Sequence, residues 1–397
     1  MTSSAANAIV IIPTYWTWPS GDSHRPVTGA YDHPTPLDGE STLPPLLDDL
    51  SNQREGGLRV LILVGMAHPD LSPAAAEHVR QLLESYRKRL DLRICDEAAA
   101  SRLRELLDPT GSQAELFHLQ SYAGIRNLQL LVPHILSAET VVALDDDERV
   151  RPDYAERALR TIGERMDGER VLGLAGPYLQ LDGGVMLSEK PSTGNVFRDK
   201  ARHINAAMRM LMAKGSGPIP SPMALGGNMI FHRDLFTQVC FDPGITRGED
   251  IDYLINARLQ GIGWWFDPNL TILHLPPQRH ETPPYQRMRE DVFRFIYERE
   301  KLRLDDEVKP AWLEPYPGAL LGDDLKGQAL AALETEATPE MIGRFGNPQV
   351  VVKEAEAHAE RSAPRYPAFA DAWRELMTRV AKDSSLRLAS AAVFPRL

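Results

Sequence analysis

Four acidic residues stand in a row, Asp145-Asp146-Asp147-Glu148, directly after the apolar run at 141–144. Such a run predicts a buried strand, so we expect the carboxylates at the carboxyl edge of a sheet, where ligands bind in open α/β folds. Neighbouring carboxylates repel one another, and oxygens two residues apart can face one hard cation whose other ligands a diphosphate supplies. The row therefore predicts a cation site. A solvated acidic turn that caps the next helix is the alternative.

Two further patterns place polar groups beside flexible or electropositive backbone. Gly226-Gly227-Asn228 precedes an apolar run, and its glycines let the backbone approach a ligand closely before the chain enters the core. Further on, Glu249-Asp250 opens a predicted helix, whose N-terminal dipole stabilises ionised carboxylates. A plain glycine turn and ordinary helix capping by Asp250 are the alternatives.

A histidine and an arginine complete the set of candidate groups. His274 ends a short apolar strand that prolines stop at once, which fixes the imidazole at the strand tip, either as a metal ligand or as a packed side chain. Arg126 and Asn127 lie in a helix before the acidic strand, where they can meet a nucleotide or face solvent. Each pattern is common alone, and their order along the chain is what favours a site.

The surrounding sequence places these groups on an α/β scaffold. Strands are predicted at 8–14, 58–65, 93–95, 141–144, 171–175, 226–231 and 264–266. Helices are predicted at 72–90, 123–135, 152–166, 204–213 and 250–260, with a hairpin at 178–184 and mainly helical chain beyond 284. Strands that alternate with helices at this spacing predict a mostly parallel sheet covered on both faces.

The composition is that of a globular protein, with 397 residues, 43% hydrophobic and 25% charged, enough for one large domain with an appendage or for two domains. The formal charge of −11 argues against a nucleic-acid or anionic-membrane partner, since either favours a basic face. Cys95 and Cys240 are predicted to be buried free thiols. The apolar run at 8–13 is too short for a signal peptide, and no run is long enough to span a membrane, which predicts a soluble, cytoplasmic protein.

Taken in order, the strand that ends in Pro13-Thr14, the Arg-Asn pair, the acidic row, Gly-Gly-Asn, Glu-Asp and the strand-end histidine resemble the GT-A glycosyltransferases. The likeness is greatest to the inverting family 2 group and covers about residues 8–277. It implies a Rossmann-like, mostly parallel sheet flanked by helices. The implied catalytic domain is 1–284, with a long proline-rich loop and the first helix at 15–57, and 285–397 is a helical C-terminal extension.

The resemblance also implies roles for individual residues. The metal, Mn²⁺ or Mg²⁺, would be held by Asp145, Asp147 and His274. The donor nucleotide would contact Pro13, Thr14, Tyr15, Arg126, Asn127, Asp145 and Asp146. The donor sugar and the acceptor would contact Gly226, Gly227, Asn228 and Asp252. The general base would be Asp250, with Glu249 beside it to orient it or to bind the acceptor.

The implied function is transfer of a sugar from a nucleotide-diphosphate sugar, a UDP- or GDP-sugar, to a hydroxyl of a small soluble or saccharide acceptor, with inversion. A retaining enzyme of the glycerate-glycoside type is the first alternative, because a strand-end histidine such as His274 is prominent there too. A sugar-nucleotide nucleotidyltransferase is disfavoured, because 16–19 lacks the glycine-rich basic loop of that class. A non-catalytic sugar-nucleotide-binding protein is the third alternative.

Two regions depart from the resemblance or lie beyond it. The family usually has an Asn-Glu or similar pair soon after the first strand, whereas Tyr15-Trp16 and the proline-rich loop follow here. The C-terminal helices are predicted either to cover the acceptor pocket or to form a homodimer contact. Arg279, His280 and Arg287 can meet an anionic acceptor or the diphosphate, or lie on a solvated helix face.

Overall fold

The computed structural model describes residues 7–22, 24–27, 31, 34–213, 215, 217–275, 282–304 and 309–397. The strands in chain order are β1 (Ala8–Thr17), β2 (Thr35–Pro36), β3 (Arg59–Met66), β4 (Asp91–Cys95), β5 (Thr140–Leu144), β6 (Glu148–Val150), β7 (Arg165–Met166), β8 (Glu169–Arg170), β9 (Gly173–Ala175), β10 (Tyr178–Leu179), β11 (Ile219–Pro220), β12 (Asn228–His232), β13 (Trp265–Phe266) and β14 (Ile272–His274). The central sheet has nine strands in the order β11-β13-β9-β12-β5-β1-β3-β4, with β2 paired beside β1, and β10-β14-β6 form a separate three-stranded sheet.

Helices cover both faces of the large sheet. They are α1 (Leu43–Ser51), α2 (Ser72–Leu83), α3 (Glu97–Leu107), α4 (Gln113–Leu116), α5 (Tyr122–Ile135), α6 (Tyr154–Thr161), α7 (Lys200–Met212), α8 (Arg233–Phe236), α9 (Glu249–Leu259), α10 (Pro284–Leu302), α11 (Leu325–Glu336), α12 (Pro339–Phe345), α13 (Pro348–Ser362), α14 (Tyr366–Lys382) and α15 (Ser384–Ala391). Within the described part of the chain, no helix combines the length and apolar character needed to cross a bilayer.

The alternating direction of strand side chains builds two apolar cores. In β1, Ile9 and Ile11 join one buried cluster, whereas Val10 and Ile12 join the other on the opposite face. Strands β1, β3, β4 and β5 are mutually parallel, and β12 runs antiparallel between β5 and β9. The predicted α/β class with a mostly parallel, doubly covered sheet is therefore confirmed.

Strand β1 is longer than the sequence pattern predicts, because it continues through Pro13 to Thr17. Its pairing with β5 ends at Ile11, whereas pairing with β3 continues to Trp16. At Pro13 the strand therefore has a neighbour on one side only, and a residue without an N–H is tolerated there. Tyr15, which the resemblance assigns to the proline-rich loop, thus lies on a strand.

The helix predicted at 152–166 is interrupted, because α6 ends at Thr161 and the short hairpin of β7 and β8 follows. Asp167 and Gly168 have φ values of 50° and 86° at its turn. An Asp-Gly pair favours such a turn, so the signal was present in the sequence. Helix α3 was also absent from the sequence-based prediction.

The hairpin predicted at 178–184 does not form. Residues 178–179 pair instead, in parallel, with Ile272 and Leu273 of β14. The Asp182-Gly183 segment is a local turn closed by the Gly183 N–H donating to the Gln180 carbonyl (2.8 Å). A long-range partner has replaced the local one, which the pattern of turn residues could not reveal.

The C-terminal helices pack into the same apolar cluster as the large sheet. The Trp373 indole on α14 donates to the Phe236 carbonyl of α8 (2.8 Å). Near the end of α10, the Lys301 ammonium binds Asp242 and Asp252, with 2.5 Å to each carboxylate. The chain division at residue 284 stays a prediction, and both sides of it share one core.

The described parts of the proline-rich loop pack against the sheet and α5. The Trp18 indole donates to the Pro26 carbonyl (2.9 Å), and Arg25 lies over the Trp18 ring at 3.6 Å. The Tyr31 hydroxyl donates to the Leu119 carbonyl (2.7 Å). The sequence Asp32-His33-Pro34 predicts a turn, which lies mostly outside the described residues, since only Pro34 is described.

Candidate active site

A cleft of about 420 Å³ opens at the carboxyl edge of the large sheet. Strand β5 ends there, and β12, which runs antiparallel to it, begins there, because Asn228 pairs with Leu144. This convergence brings together segments far apart in the sequence. The cleft is lined by Tyr15, Thr42, Tyr122, Arg126, Asp145, Asp146, Asp147, Tyr178, Leu225, Gly226, Arg247, Gly248, Glu249, Asp250, His274 and Arg294.

A buried arginine joins the acidic row to the Glu-Asp pair. From α5, Arg126 donates to Asp145 (Nη2 to Oδ1, 3.0 Å), to Glu249 (Nε to Oε1, 3.3 Å) and to Gln129 (3.1 Å). Burial opposes the charge of Arg126, but Asp145, Tyr15 and Glu249 together raise its pKa well above the usual value. The arginine therefore stays protonated and fixes two carboxylates on either side of it.

Glu148 lies beneath the cleft and supports the acidic loop from inside. Its Oε2 accepts from the Asp145 N–H (3.0 Å), while its buried Oε1 has no hydrogen-bond partner among the described residues. Burial, and then the charges of Asp145 and Asp147, raise the pKa of Glu148. The carboxyl packs against Gly227, where a Cβ would lie 1.9 Å from Oε1 and 2.7 Å from Asp145 Oδ2. Only glycine fits at that point.

The small three-stranded sheet brings His274 beside the acidic row. Strand β14 runs antiparallel to β6 and pairs His274 with Glu148, and the Leu275 N–H donates to the Asp147 carbonyl (2.8 Å). As a result, His274 Nε2 lies 3.4 Å from Asp147 Oδ2. Burial lowers the pKa of His274, but the bond to Asp147 and the charges of Asp147 and Asp145 outweigh it, so the net shift is upward.

Asp146 turns toward the first strand instead of toward His274. Its Oδ2 accepts from the Thr14 hydroxyl (2.7 Å). Burial raises the pKa of Asp146 to about 7, against the opposing effect of the Thr14 hydrogen bond. The predicted donor-binding segments at Thr14 and Asp146 are thus in contact with each other.

A divalent ion at the acidic row would need several ligand atoms directed at one position. Among the described residues, no three acid, histidine or cysteine side chains are arranged to hold a metal ion. Asp147 and His274 are adjacent, whereas the expected third ligand, Asp145, is held by Arg126. A carboxylate suits Mg²⁺ or Mn²⁺, and such ions often bind through one or two protein groups, with phosphates and water completing the shell. The pair fits a metal that binds together with a diphosphate.

Asp250 faces the cleft from the first turn of α9. The helix begins behind Gly248, whose φ of 74° is left-handed, and the Ile251 N–H donates to Asp250 Oδ1 (2.8 Å). Arg294 of α10 approaches Asp250 to 3.8 Å. Burial raises the pKa of the neighbouring Glu249, Arg126 lowers it and Asp250 raises it, with a net upward shift.

Six predicted site residues are not part of the cleft lining: Pro13, Thr14, Asn127, Gly227, Asn228 and Asp252. Pro13 is buried in β1, and Asn127 donates to the Leu116 and Phe241 carbonyls (2.8 Å each). Their side chains have structural roles here, as do those of two others. The amide of Asn228 binds the Tyr154 hydroxyl and the Leu270 carbonyl, and Asp252 binds Lys301 and Asn256.

Other predicted groups have a different location or are not described. Arg287 is exposed and does not line the cleft. Arg279 and His280 lie outside the described residues. Gly226 lines the cleft, and the N–H of Gly227 donates to the Tyr178 hydroxyl (2.5 Å).

Several cleft residues carry no recognisable sequence signal, among them Tyr122, Tyr178 and Arg294. Tyr15, Tyr31 and Tyr122 form an aromatic cluster with ring centroids 4.4 to 5.6 Å apart. Tyr178 lies against the His274 ring at 5.2 Å. Arg294 belongs to α10, beyond the segment that resembles the GT-A enzymes. A tyrosine or arginine in an ordinary helix or strand shows no pattern that distinguishes it from core or surface.

No protein-family model matches the chain, and no curated protein matches it in sequence. Similar solved structures include the mannosyltransferase PcManGT from Pyrobaculum calidifontis in complex with GDP-Man and Mn²⁺, with 16% identity, a TM-score of 0.43, and coverage of 95% of this chain and 88% of that one. S. aureus TarS 1-349 has 14% identity and a TM-score of 0.38, with coverage of 95% of this chain and 91% of that one. GalNAc-T7 with UDP, GalNAc and Mn²⁺ has 10% identity and a TM-score of 0.42, with coverage of 90% of this chain and 58% of that one. At sequence identities of 10–16%, the role of each cleft residue has to be argued from the geometry of this chain.

Proposed function

We propose that the protein is a metal-dependent glycosyltransferase with a GT-A type sheet, which moves a sugar from a nucleotide-diphosphate sugar to a hydroxyl of a soluble acceptor. The observation that carries the proposal is the cleft that joins three features: the Asp147–His274 pair, the Arg126-bound Asp145 and Glu249, and the cleft-facing Asp250. In this proposal residues 1–284 are the catalytic domain and 285–397 extend it.

The donor side of the cleft would be the acidic row. Asp147 and His274 would hold Mn²⁺ or Mg²⁺, which, when bound, offsets the charge that develops on the departing diphosphate. Asp145, which Arg126 orients, would accept hydrogen bonds from a ribose. The aromatic cluster of Tyr15, Tyr31 and Tyr122 offers a face for the nucleoside base.

The acceptor side would be the start of α9. Asp250 would take the proton of the acceptor hydroxyl, while the acceptor oxygen forms a bond to the anomeric carbon. The bond from that carbon to the diphosphate oxygen breaks, and the nucleoside diphosphate leaves with the bonding electrons. Attack from the face opposite the diphosphate inverts the anomeric centre. Glu249, held by Arg126, would orient this turn of the helix.

The test is a panel of UDP- and GDP-sugars, with the purified protein in Mn²⁺ or in EDTA. We expect one donor to raise the melting temperature and to be hydrolysed or transferred only when the metal is present. Asp147→Asn should lower turnover by about 100-fold or more, since it removes a metal ligand. Asp70→Asn is the matched control, because the Asp70 side chain is 66% exposed.

Metal-independent turnover, or full turnover by Asp147→Asn, would contradict the metal assignment. Absence of donor binding across the panel would contradict the proposed function as a whole. The configuration of the product's anomeric carbon then separates inversion from retention, because a retaining enzyme would preserve the donor's configuration.

A further inference from the structure

Arg294 places a buried positive charge at the cleft without using all of its donors. The residue is 8% exposed, and its Nε donates to Glu298 Oε1 on the same helix (3.0 Å). Its buried Nη2 has no hydrogen-bond partner among the described residues and lies 3.8 Å from Asp250 Oδ1. Buried guanidinium groups normally bond most of their N–H groups, so an unpartnered one that borders a cleft indicates a missing ligand.

The other buried arginine of the cleft provides an internal comparison. Arg126 bonds Asp145, Glu249 and Gln129 through its three nitrogens. Its donors are therefore committed to the protein, and its role is to position carboxylates. Nη2 of Arg294 makes no hydrogen bond within the described part of the chain, although it lies at ion-pair distance, 3.8 Å, from Asp250.

The backbone around Arg294 is shaped to admit the guanidinium. At Gly248 a Cβ would lie 2.1 Å from Cζ of Arg294, and the φ of 74° there is one that side-chain-bearing residues rarely adopt. Both constraints require glycine at this position. The arginine therefore reaches the cleft through a gap that the first turn of α9 leaves open.

The ion pair with Glu298 leaves the arginine only partly neutralised. Glu298 is fully buried, and burial raises its pKa to about 7 although Arg294 opposes the shift. Near neutral pH a substantial fraction of the Glu298 carboxyl is protonated, so Glu298 offsets only part of the positive charge of Arg294. An anion beside Asp250 would meet a guanidinium nitrogen that is already desolvated and held in place.

We propose that Arg294 binds an anionic group of the acceptor, a carboxylate or a phosphate, next to the hydroxyl that Asp250 deprotonates. The inference rests on the proposed function, because it takes Asp250 as the base. A base must lie within hydrogen-bond reach of the acceptor hydroxyl, so a donor next to Asp250 faces the acceptor. The diphosphate of the nucleotide sugar is assigned instead to the side of Asp147 and His274.

This assignment makes the acceptor an anionic hydroxyl compound instead of a neutral sugar. Charge-assisted hydrogen bonds from a guanidinium to a carboxylate or phosphate oxygen are stronger than neutral ones. A neutral acceptor offers Nη2 only a hydroxyl oxygen, which lacks the charge of a carboxylate or phosphate oxygen and therefore forms a weaker hydrogen bond with a guanidinium.

The experiment compares matched probes that differ in charge: glycerol with glycerate and glycerol 3-phosphate, and glucose with glucuronate and glucose 6-phosphate. Binding to the full chain is measured by calorimetry, with and without UDP or GDP and Mn²⁺. We expect an anionic member to bind about tenfold or more tightly than its neutral partner, as for other charged hydrogen bonds. Whichever of the carboxylate and phosphate probes binds more tightly identifies the anionic group that Arg294 binds.

The variants Arg294→Gln and Arg294→Lys test the residue. We expect Arg294→Gln to lose the preference for the anion and to keep its nucleotide affinity, and Arg294→Lys to keep part of the preference. Arg303→Gln is the matched control, because Arg303 is 53% exposed and lies just beyond the same helix. Melting temperatures establish whether each variant is folded. If Arg294→Gln does not fold, Arg294→Lys provides the test.

Three results would overturn the inference: no preference for anions in the wild type, an unchanged preference in folded Arg294 variants, or loss of nucleotide affinity in Arg294→Gln, which would assign the arginine to the donor diphosphate. Failure of the proposed function is a separate result. It would appear as absence of metal-dependent donor turnover. The probe titrations without nucleotide do not depend on that turnover, so the two failures can be told apart.

Discussion

The Lys301 ammonium lies 2.5 Å from Asp252 Oδ1, and this contact joins α10 to the helix that begins with Glu249 and Asp250. Both side chains are buried, and Lys301 also binds Asp242. The Lys301 ammonium additionally lies 4.4 Å from the centre of the Tyr366 ring. The position of α9 at the cleft therefore depends on a helix outside the part of the chain that carries the acidic row.

We expect Lys301→Met to lower the free energy of unfolding by about 3–5 kcal/mol, because two buried carboxylates lose their shared cation. Urea unfolding measures the change. Lys326→Met is the matched control, since the Lys326 side chain is 60% exposed and its pair with Glu356 lies at the surface. A change of about 0–1 kcal/mol is expected there. Equal effects in the two variants would contradict the role given to Lys301.

Glu298 should make stability depend on pH in one direction. Burial raises its folded-state pKa to about 7 from the ordinary value of 4.5, so the folded state binds more protons than the unfolded state between these values. The contribution of Glu298 is therefore fully present below about pH 4.5 and is lost as the pH rises through about 7. Relative to Glu298→Gln, we expect the wild type to lose up to about 3 kcal/mol over that window.

Urea unfolding of both proteins at about pH 5 and about pH 8 measures this difference. Glu334→Gln, at an exposed position on α11, is the control and should follow the wild-type dependence. Parallel curves for the wild type and Glu298→Gln would show that Glu298 does not titrate in this range.

Gly226, which lines the cleft, and its neighbour Gly227 should respond differently to the same change. In Gly227→Ala the new Cβ would lie 1.9 Å from Glu148 Oε1, so we expect a loss of about 1–3 kcal/mol and weaker donor binding as the acidic loop shifts. In Gly226→Ala the nearest atom is 3.5 Å away, an ordinary contact. Its melting temperature should stay close to the wild-type value. Similar melting temperatures for both variants would refute the close packing inferred at Gly227.

Asp250→Asn should separate binding from chemistry. The amide cannot take the acceptor proton, so we expect transfer to fall by about 100-fold or more while nucleotide affinity is unchanged. Single-turnover transfer and nucleotide titration measure the two quantities. Asp323→Asn is the control, because the Asp323 side chain is fully exposed. Transfer at the wild-type rate by Asp250→Asn would rule out the base role.

Local sequence patterns predicted much of the scaffold. The apolar runs of β1, β3 and β5 and the helical period of α5 depend on residues close together in the chain, so burial and periodicity expose them directly. The acidic row after β5 and the histidine that ends β14 were located for the same reason. Errors occurred where a distant partner changed the outcome, as at 178–179, which pairs with β14 instead of forming a hairpin.

Polar residues were harder to assign than strands. Asn127 and Asp252 have the same side-chain chemistry as true cleft residues, yet their bonds go to backbone carbonyls and to Lys301. Which polar group faces a cleft depends on what packs against it from other elements. Arg294 shows the converse, because nothing in the sequence of α10 marks it as facing Asp250.

The sequence by itself determined the α/β alternation, the placement of carboxylates at a strand end and the histidine at a strand tip, because each is a property of a short apolar run and the residue that follows it. Only the tertiary structure decided the pairings, since Thr14 and Asp146 are 132 residues apart and Arg126 and Glu249 are 123 apart. Strand register and helix docking set those contacts. They divide the three aspartates of the acidic row between Arg126, Thr14 and His274, so that Asp147 is the aspartate paired with the histidine ring.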